Sequence, residues 1–160
     1  MKRVGIFVGV LFVLAEGLTS QTAIPDSVLE AQRVKFDAAR NPASDVKAAV
    51  VTATKEKKRI ILDVGGEWCS WCHKLDKFLA AHSDLDEYLS LHFVVVKVNY
   101  SKENKNEEFL KQYPEIDGYP HFFVLAPDGK FLLSQSTGDF EAGKGYDHDK
   151  ILKFLKTWSL

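Results

Sequence analysis

The chain has 160 residues, of which 46% are hydrophobic and 27% are charged, and its formal net charge is −1. This length and composition favour one globular domain with a real hydrophobic core. The near-neutral charge supplies no basic surface for nucleic acid or for an anionic membrane. Two cysteines are too few to staple a small secreted domain, so stability must come from the core.

The first 20 residues have the layout of a secretory signal peptide. Residues 1–3 are positively charged at two positions, residues 4–15 are almost entirely apolar, and small and polar residues follow. We expect cleavage between residues 17 and 23; the alternative is an uncleaved N-terminal anchor. The pattern predicts secretion across the inner membrane to the periplasm, with membrane contact only in transit.

A lead-in is predicted over residues 21–43, followed by the folded domain over residues 44–160. Ser44 is a plausible N-cap for a helix that runs to about Lys57. The apolar run at residues 59–64 is typical of a strand that is covered on both faces.

Further along the chain, strands alternate with helices and a hairpin follows. This order predicts an α/β fold with a mixed central sheet and helices on both faces. The predicted elements are helices over residues 70–81 and 84–89, a strand over 93–98, a surface helix over 102–113, strands over 121–125 and 131–134 joined by a turn at 127–130, a glycine-rich loop over 138–145, and a last helix capped by Asp147 or Asp149.

The only two cysteines, Cys69 and Cys72, lie three positions apart where the first strand leads into a helix. Two thiols at this spacing can close a small disulfide at a helix N-terminus, where N–H groups and the macrodipole stabilise a thiolate. We expect Cys69 to be the more exposed, attacking thiol and Cys72, one turn further in, to resolve the mixed disulfide. The alternative is a stable, inert disulfide.

Asp63 lies inside the apolar run of the first predicted strand. A buried, unpaired carboxylate there would cost several kcal/mol, and burial should raise its pKa. Lys97, in the second strand, would be its natural charge partner. The alternatives are an Asp63 side chain turned to solvent and a Lys97 side chain that snorkels at the sheet edge.

With these features the chain resembles the thioredoxin superfamily, specifically its secreted single-domain thiol–disulfide oxidoreductases. The resemblance covers about residues 44–158. It is carried by Asp63, Lys97 and the segments Trp68-Cys69-Ser70-Trp71-Cys72 and Gly118-Tyr119-Pro120. Two positions depart from the family pattern: the common Gly-Pro between the cysteines is Ser70-Trp71, and a large aromatic two residues after the acid is Gly65.

The resemblance implies a thioredoxin-like fold with a cis-proline, Pro120, before the third core strand. It also implies that Asp63 accepts the Cys72 proton, through water, and that the Tyr119 backbone pairs with an extended substrate. Trp68 and Trp71 are expected to form an apolar rim that contacts the partner, with core packing as the alternative for Trp71.

The sequence therefore predicts an enzyme, a protein disulfide oxidoreductase that acts as a reductant or interchange protein in periplasmic electron transport and redox homeostasis. Its expected partners are client proteins with disulfides or thiols and an upstream thiol–disulfide donor. We expect a monomer, no metal, and no cofactor beyond the redox-active Cys69–Cys72 disulfide.

Two other functions compete with this interpretation. The segment Cys69-Ser70-Trp71-Cys72-His73 also has the haem c attachment pattern, which would make the chain an electron carrier with His73 as proximal ligand. A Met distal ligand is unavailable, because the only methionine is Met1, and haem attachment leaves Asp63 and Pro120 unexplained. The other competitor is a binding module that keeps the fold without turnover.

Overall fold

The computed structural model describes residues 33–160, together with Pro25, Ser27 and Val28. The predicted signal peptide and its cleavage region lie outside the described residues. From Pro42 onward the elements are α1 (Pro42–Glu56), β1 (Arg59–Gly65), α2 (Ser70–Ala81), α3 (Ser83–His92), β2 (Phe93–Asn99), α4 (Glu107–Leu110), β3 (His121–Leu125), β4 (Phe131–Ser136), a 3₁₀ turn (Thr137–Phe140), β5 (Glu141–Ala142), β6 (Gly145–Tyr146) and α5 (His148–Trp158).

Four strands form the central sheet in the order β2-β1-β3-β4. Strand β1 pairs in parallel with β2, whereas β3 runs antiparallel to both β1 and β4. The mixed sheet predicted from the alternation of strands and helices is confirmed. The turn predicted over residues 127–130 is present between β3 and β4. A 2.8 Å hydrogen bond from the Ala126 N–H to the Lys130 carbonyl closes it.

Strands β1 and β3 are buried along nearly their whole length, whereas the edge strand β4 is exposed or half-buried. Alternate residues of a strand point to opposite faces, so Ile61 and Asp63 lie on one face while Ile60 and Leu62 lie on the other. Helices α2, α3 and α5 pack over the Ile61 face, and α1 packs over the Ile60 face. The chain leaves the core at the carboxyl end of β1 and continues into α2.

Helix α1 begins earlier than predicted. Asn41, not Ser44, is the N-cap: its side chain accepts a hydrogen bond from the Ser44 N–H, and Pro42 occupies the first turn. The helix ends at Glu56, and the C-cap residue Lys57 adopts a left-handed conformation with φ of 55°. Proline suits the first turn because it has no N–H to leave unpaired.

The predicted surface helix over residues 102–113 is wrong in its length, because only Glu107–Leu110 is helical. Instead, hydrogen bonds between side chains and backbone join Asn99, Asn104 and Asn106 at the end of β2. Asn106 has a left-handed backbone conformation. Such local bonds compete with helix formation. No helix within the described part of the chain is long and apolar enough to cross a bilayer.

Candidate active site

The two cysteines lie at the start of α2, directly after the sharp exit from β1. Cys69 is the N-cap residue, with φ of −89° and ψ of 103°, and its Sγ accepts a hydrogen bond from the Cys72 N–H at 3.1 Å. Cys69 and Cys72 are joined by a disulfide, with their Cα atoms 5.2 Å apart. The Cys69 sulfur therefore lies where the first unpaired N–H groups of the helix point, a position that favours negative charge.

Both cysteines are buried in the disulfide form. Cys69 is 4% exposed and Cys72 is 1% exposed, so Cys69 is the more exposed of the two, as expected, although both are almost closed to solvent. The two residues form one apolar cluster with Phe36, and the rings of Trp71 and Tyr119 pack against that cluster. The disulfide is therefore shielded by aromatic rings from three separate parts of the chain.

Asp63 lies beneath α2 and forms an ion pair with Lys97. The Lys97 ammonium donates to Asp63 Oδ2 at 2.6 Å and also to the carboxylate of Asp76. Asp63 is 4% exposed, so it is not turned to solvent, and the Lys97 ammonium does not snorkel out to the sheet edge. Oδ1 of Asp63 has no hydrogen-bond partner among the described residues.

The charges of this network shift the titration of its members. Burial raises the pKa of Asp63, against the opposing attraction of Lys97, and the neighbouring Asp76 raises it further. Burial alone would lower the pKa of Lys97, but Asp63 and Asp76 outweigh it and raise that pKa. Lys97 therefore stays an ammonium, while Asp63 holds a proton more readily than a solvated aspartate.

Asp76, Arg33 and Glu67 extend the network, and sequence reasoning missed their roles. Arg33 Nη1 donates to Asp76 Oδ2 at 3.2 Å and to Glu67 Oε1 at 3.1 Å. One signal could have found Asp76: it follows Cys72 by four residues and therefore lies on the same helix face. Nothing comparable in the sequence connects Arg33 to the site.

A groove of about 630 Å³ opens on this face of the molecule and reaches the charged network. Asp63, Asp76 and Lys97 line its inner part, and Val34 and Asp86 lie on its outer part. Asp63 Oδ1 itself has almost no exposed surface in the oxidised form, so water reaches it only if this wall of the groove moves. Within residues 33–160, no three His, Cys, Asp or Glu side chains gather as a metal site.

Aromatic residues form the surface beside the disulfide. Trp68 is 57% exposed and its Nε1 donates to the Tyr100 carbonyl at 2.6 Å. Tyr119 stacks on the Tyr100 ring at 4.9 Å and meets the Trp68 ring edge-on at 5.7 Å. Burial raises the pKa of Tyr119 to about 12, with a further contribution from Tyr100. Three strand ends thus contribute to one aromatic surface.

Pro120 and Trp71 complete the set of residues expected at the site. The Tyr119–Pro120 peptide bond is cis, and the Pro120 carbonyl accepts a 2.5 Å hydrogen bond from Thr137. Trp71 is half-buried, meeting the Tyr146 ring edge-on at 5.5 Å, with the Lys74 ammonium 3.8 Å from its ring centre. Of the two tryptophans, Trp68 is therefore the better placed to contact a partner, because Trp71 also packs on the core.

Gly65 is required by close contact rather than by backbone conformation. A Cβ atom at this position would lie 2.5 Å from Cys72 Sγ and 3.0 Å from the Phe36 ring. We expect Gly65→Ala to destabilise the oxidised protein by about 1–3 kcal/mol, since the disulfide fixes the sulfur that must move. The cost should be smaller in the reduced protein, where that sulfur can rotate.

Urea unfolding of both redox forms measures these differences. Gly118→Ala is the matched control, because nothing lies within 4 Å of the Cβ it would add. Equal unfolding midpoints for Gly65→Ala and Gly118→Ala would contradict the close contact at Gly65.

The chain matches known proteins over most of the region just described. Residues 46–143 match a family described as a thioredoxin-like domain. A "Disulfide bond reductase DsbH" from Chlamydia pneumoniae is 28% identical over 101 residues, an alignment that spans 58% of this chain and 58% of that relative.

Solved structures extend the likeness to the fold. A disulphide isomerase from Xylella fastidiosa Temecula1 superposes with a TM-score of 0.67 and 26% identity, over 79% of this chain and 97% of that one. The C-terminal domain of Neisseria meningitidis DsbD, in its oxidised form, superposes with a TM-score of 0.53 and 19% identity, over 78% and 99% of the two chains. The second likeness concerns the fold alone.

Proposed function

Because this chain belongs to the thioredoxin-like family, we propose that it is a thiol–disulfide oxidoreductase whose redox centre is the Cys69–Cys72 pair. One observation carries the proposal: Cys69 Sγ lies at the N-terminus of α2 and accepts a hydrogen bond from the Cys72 N–H. The same arrangement would stabilise a Cys69 thiolate in the reduced protein. An inert staple would need neither this position nor a buried acid beneath it.

The reaction begins with the reduced protein. The Cys69 thiolate attacks one sulfur of a client disulfide, which forms a Cys69–client mixed disulfide, breaks the client S–S bond and releases one client thiolate. Trp68, at 57% exposure, and Tyr119 supply the surface that meets the client next to the sulfur. An extended client segment pairs with the Tyr119 backbone before Pro120.

Resolution is the second step. The Cys72 thiol gives its proton to Asp63 through water, and its thiolate attacks Cys69 Sγ. The Cys69–Cys72 disulfide forms and the second client thiolate leaves, so the client gains two electrons and the protein loses two. Asp63 is suited to accept the proton because its pKa is raised and its Oδ1 is unpartnered among the described residues.

The protein works as a reductant or interchange catalyst rather than as a strong oxidant. A relative described as a disulfide bond reductase supports this direction, as does the Asp63–Lys97 pair behind the resolving thiol. An upstream dithiol protein returns the oxidised centre to the reduced form. The signal peptide predicted over residues 1–20 supports work in the periplasm, on client proteins with disulfides. The working form that we propose there is a monomer.

Trapping of a client tests this proposal directly. The wild-type chain should reduce a model protein disulfide in the presence of a dithiol. Cys72→Ser should accumulate a mixed disulfide held through Cys69, because the second step has lost its nucleophile. Mass spectrometry of the trapped species from the host identifies the clients.

Cys69→Ser is the matched control, since it keeps one thiol in the same motif but removes the attacking one. It should trap nothing. If Cys72→Ser also traps nothing while Cys69 reacts freely with an alkylating agent, and the wild-type chain reduces no disulfide, the proposed activity is wrong.

A further inference from the structure

Two residues of the lead-in, Arg33 and Phe36, lie against the redox centre. Neither belongs to a helix or strand. Phe36 is nevertheless only 4% exposed, and it forms one apolar cluster with Cys69 and Cys72. A burial this complete in irregular chain indicates a fixed contact rather than a passing one.

The Phe36 ring covers Cys72 from the side of β1. The point that a Cβ on Gly65 would occupy lies 2.5 Å from Cys72 Sγ and 3.0 Å from Phe36 Cζ, so sulfur and ring flank the same small space. Strand β1 can place no side chain of its own there. The Lys97 ammonium lies 4.5 Å from the centre of the ring, so Phe36 also covers the charged network below.

Ionic and backbone bonds hold this segment in place. The Arg33 side chain is 4% exposed and reaches Glu67, just before the cysteine motif, and Asp76, just after it. Glu67 Oε1 also accepts the Phe36 N–H at 2.8 Å. Charge-assisted bonds of this kind are the strong ones, and they fix the ring between two points of the active-site helix and its loop.

We propose that Arg33 and Phe36 form a cap that positions and shields the resolving thiol: Phe36 closes Cys72 off from solvent and small thiols, and Arg33 holds Phe36 there. This proposal rests on the proposed function of the Cys69–Cys72 pair. With Cys72 covered, its reaction in a mixed disulfide is with Cys69 rather than with an outside thiol or oxidant. Both residues act through Cys72 and are positioning residues.

Alkylation of Cys72 tests the cap without any need for turnover. In full chains that carry Cys69→Ser, Cys72 is the only thiol, and its rate of reaction with iodoacetamide measures its exposure. We expect Phe36→Ala to raise this rate at least tenfold and to shift its pH profile to lower pH, because a less buried thiol ionises more easily. Phe36→Leu, which keeps an apolar cover, should return the rate to within about twofold of the parent.

Arg33→Gln tests whether Arg33 holds Phe36 in place, because this variant keeps the Phe36 ring. It should also raise the rate of Cys72 alkylation several-fold. Val34→Ala is the matched control, since Val34 lies between the two cap residues but is 70% exposed. Its rate should equal that of the parent. If Phe36→Ala fails to fold by circular dichroism, Arg33→Gln carries the test.

Equal alkylation rates in the parent and in the folded Phe36→Ala and Arg33→Gln variants would overturn the cap. This result is separable from failure of the proposed function. A wild-type chain that reduces no disulfide, with a tenfold faster Cys72 in Phe36→Ala, refutes the activity and leaves the cap standing. An active wild-type chain with unchanged Cys72 rates does the reverse.

Discussion

An Asp63→Asn chain should resolve mixed disulfides about 100-fold more slowly than the wild-type chain at neutral pH. Asparagine keeps the size and polarity of the side chain but cannot take a proton from Cys72. The wild-type rate should rise with pH through the raised pKa of Asp63, because only the carboxylate form accepts a proton. This rise should be absent in Asp63→Asn.

Release of a coloured aromatic thiol from Cys69 measures the step directly. The reduced chain is loaded at Cys69 with thionitrobenzoate, and its displacement by Cys72 is followed by absorbance across a pH series. Asp86→Asn is the control, because this exposed acid lines the same groove. An unchanged rate and pH profile in Asp63→Asn would exclude Asp63 as the proton acceptor.

The same substitution should stabilise the protein. Because folding raises the pKa of Asp63, the folded chain binds a proton at this carboxyl more tightly than the unfolded chain does. The free energy of unfolding therefore falls as the pH rises from about 4, near the pKa in the unfolded chain, through the raised pKa in the folded chain. Asparagine removes this loss, which amounts to about 1.4 kcal/mol for each tenfold gain in the proton affinity of the carboxyl on folding. Slower resolution together with greater stability would separate a catalytic role from a structural one.

Replacement of Lys97 by Met should have the largest effect on stability, about 3–5 kcal/mol at pH 8 in urea unfolding of the oxidised protein. Lys97 is the cation between Asp63 and Asp76. Asp76 retains Arg33 at 3.2 Å, so the group left without a hydrogen-bonded cation is Asp63. The destabilisation should shrink towards about pH 4, where Asp63 takes up a proton.

A double variant identifies the source of this loss. Adding Asp63→Asn to Lys97→Met should recover most of the stability, because the buried charge is then gone. Lys153→Met, on the exposed face of α5, is the control for loss of a lysine. If Lys97→Met costs no more than Lys153→Met, the ion pair contributes nothing to the fold.

The parts of the site that follow from local pattern could be predicted. Cys69, Cys72 and Asp63 lie within one strand–helix unit, where periodicity and spacing are informative. Lys97 could be predicted as a partner because β1 and β2 are neighbouring parallel strands, and the register places it directly beside Asp63.

The rest depends on contacts that sequence spacing does not encode. Phe36 and Arg33 lie more than thirty residues before the groups they touch. A partly helical lead-in over residues 27–39 is the expectation from sequence, but residues 33–37 form neither helix nor strand. The helix after β2 is shorter than its periodicity predicts, because the side-chain bonds of Asn104 and Asn106 outweigh the helical pattern there.

The aromatic surface beside the disulfide has a consequence for the choice of clients. Ring contacts and the Trp68–Tyr100 hydrogen bond hold Trp68, Tyr100 and Tyr119 against one another. This aromatic surface therefore loses little conformational freedom on binding. The adaptation must then come from the other molecule. We expect flexible client segments to adapt to this surface more readily than a folded domain whose disulfide is held in place.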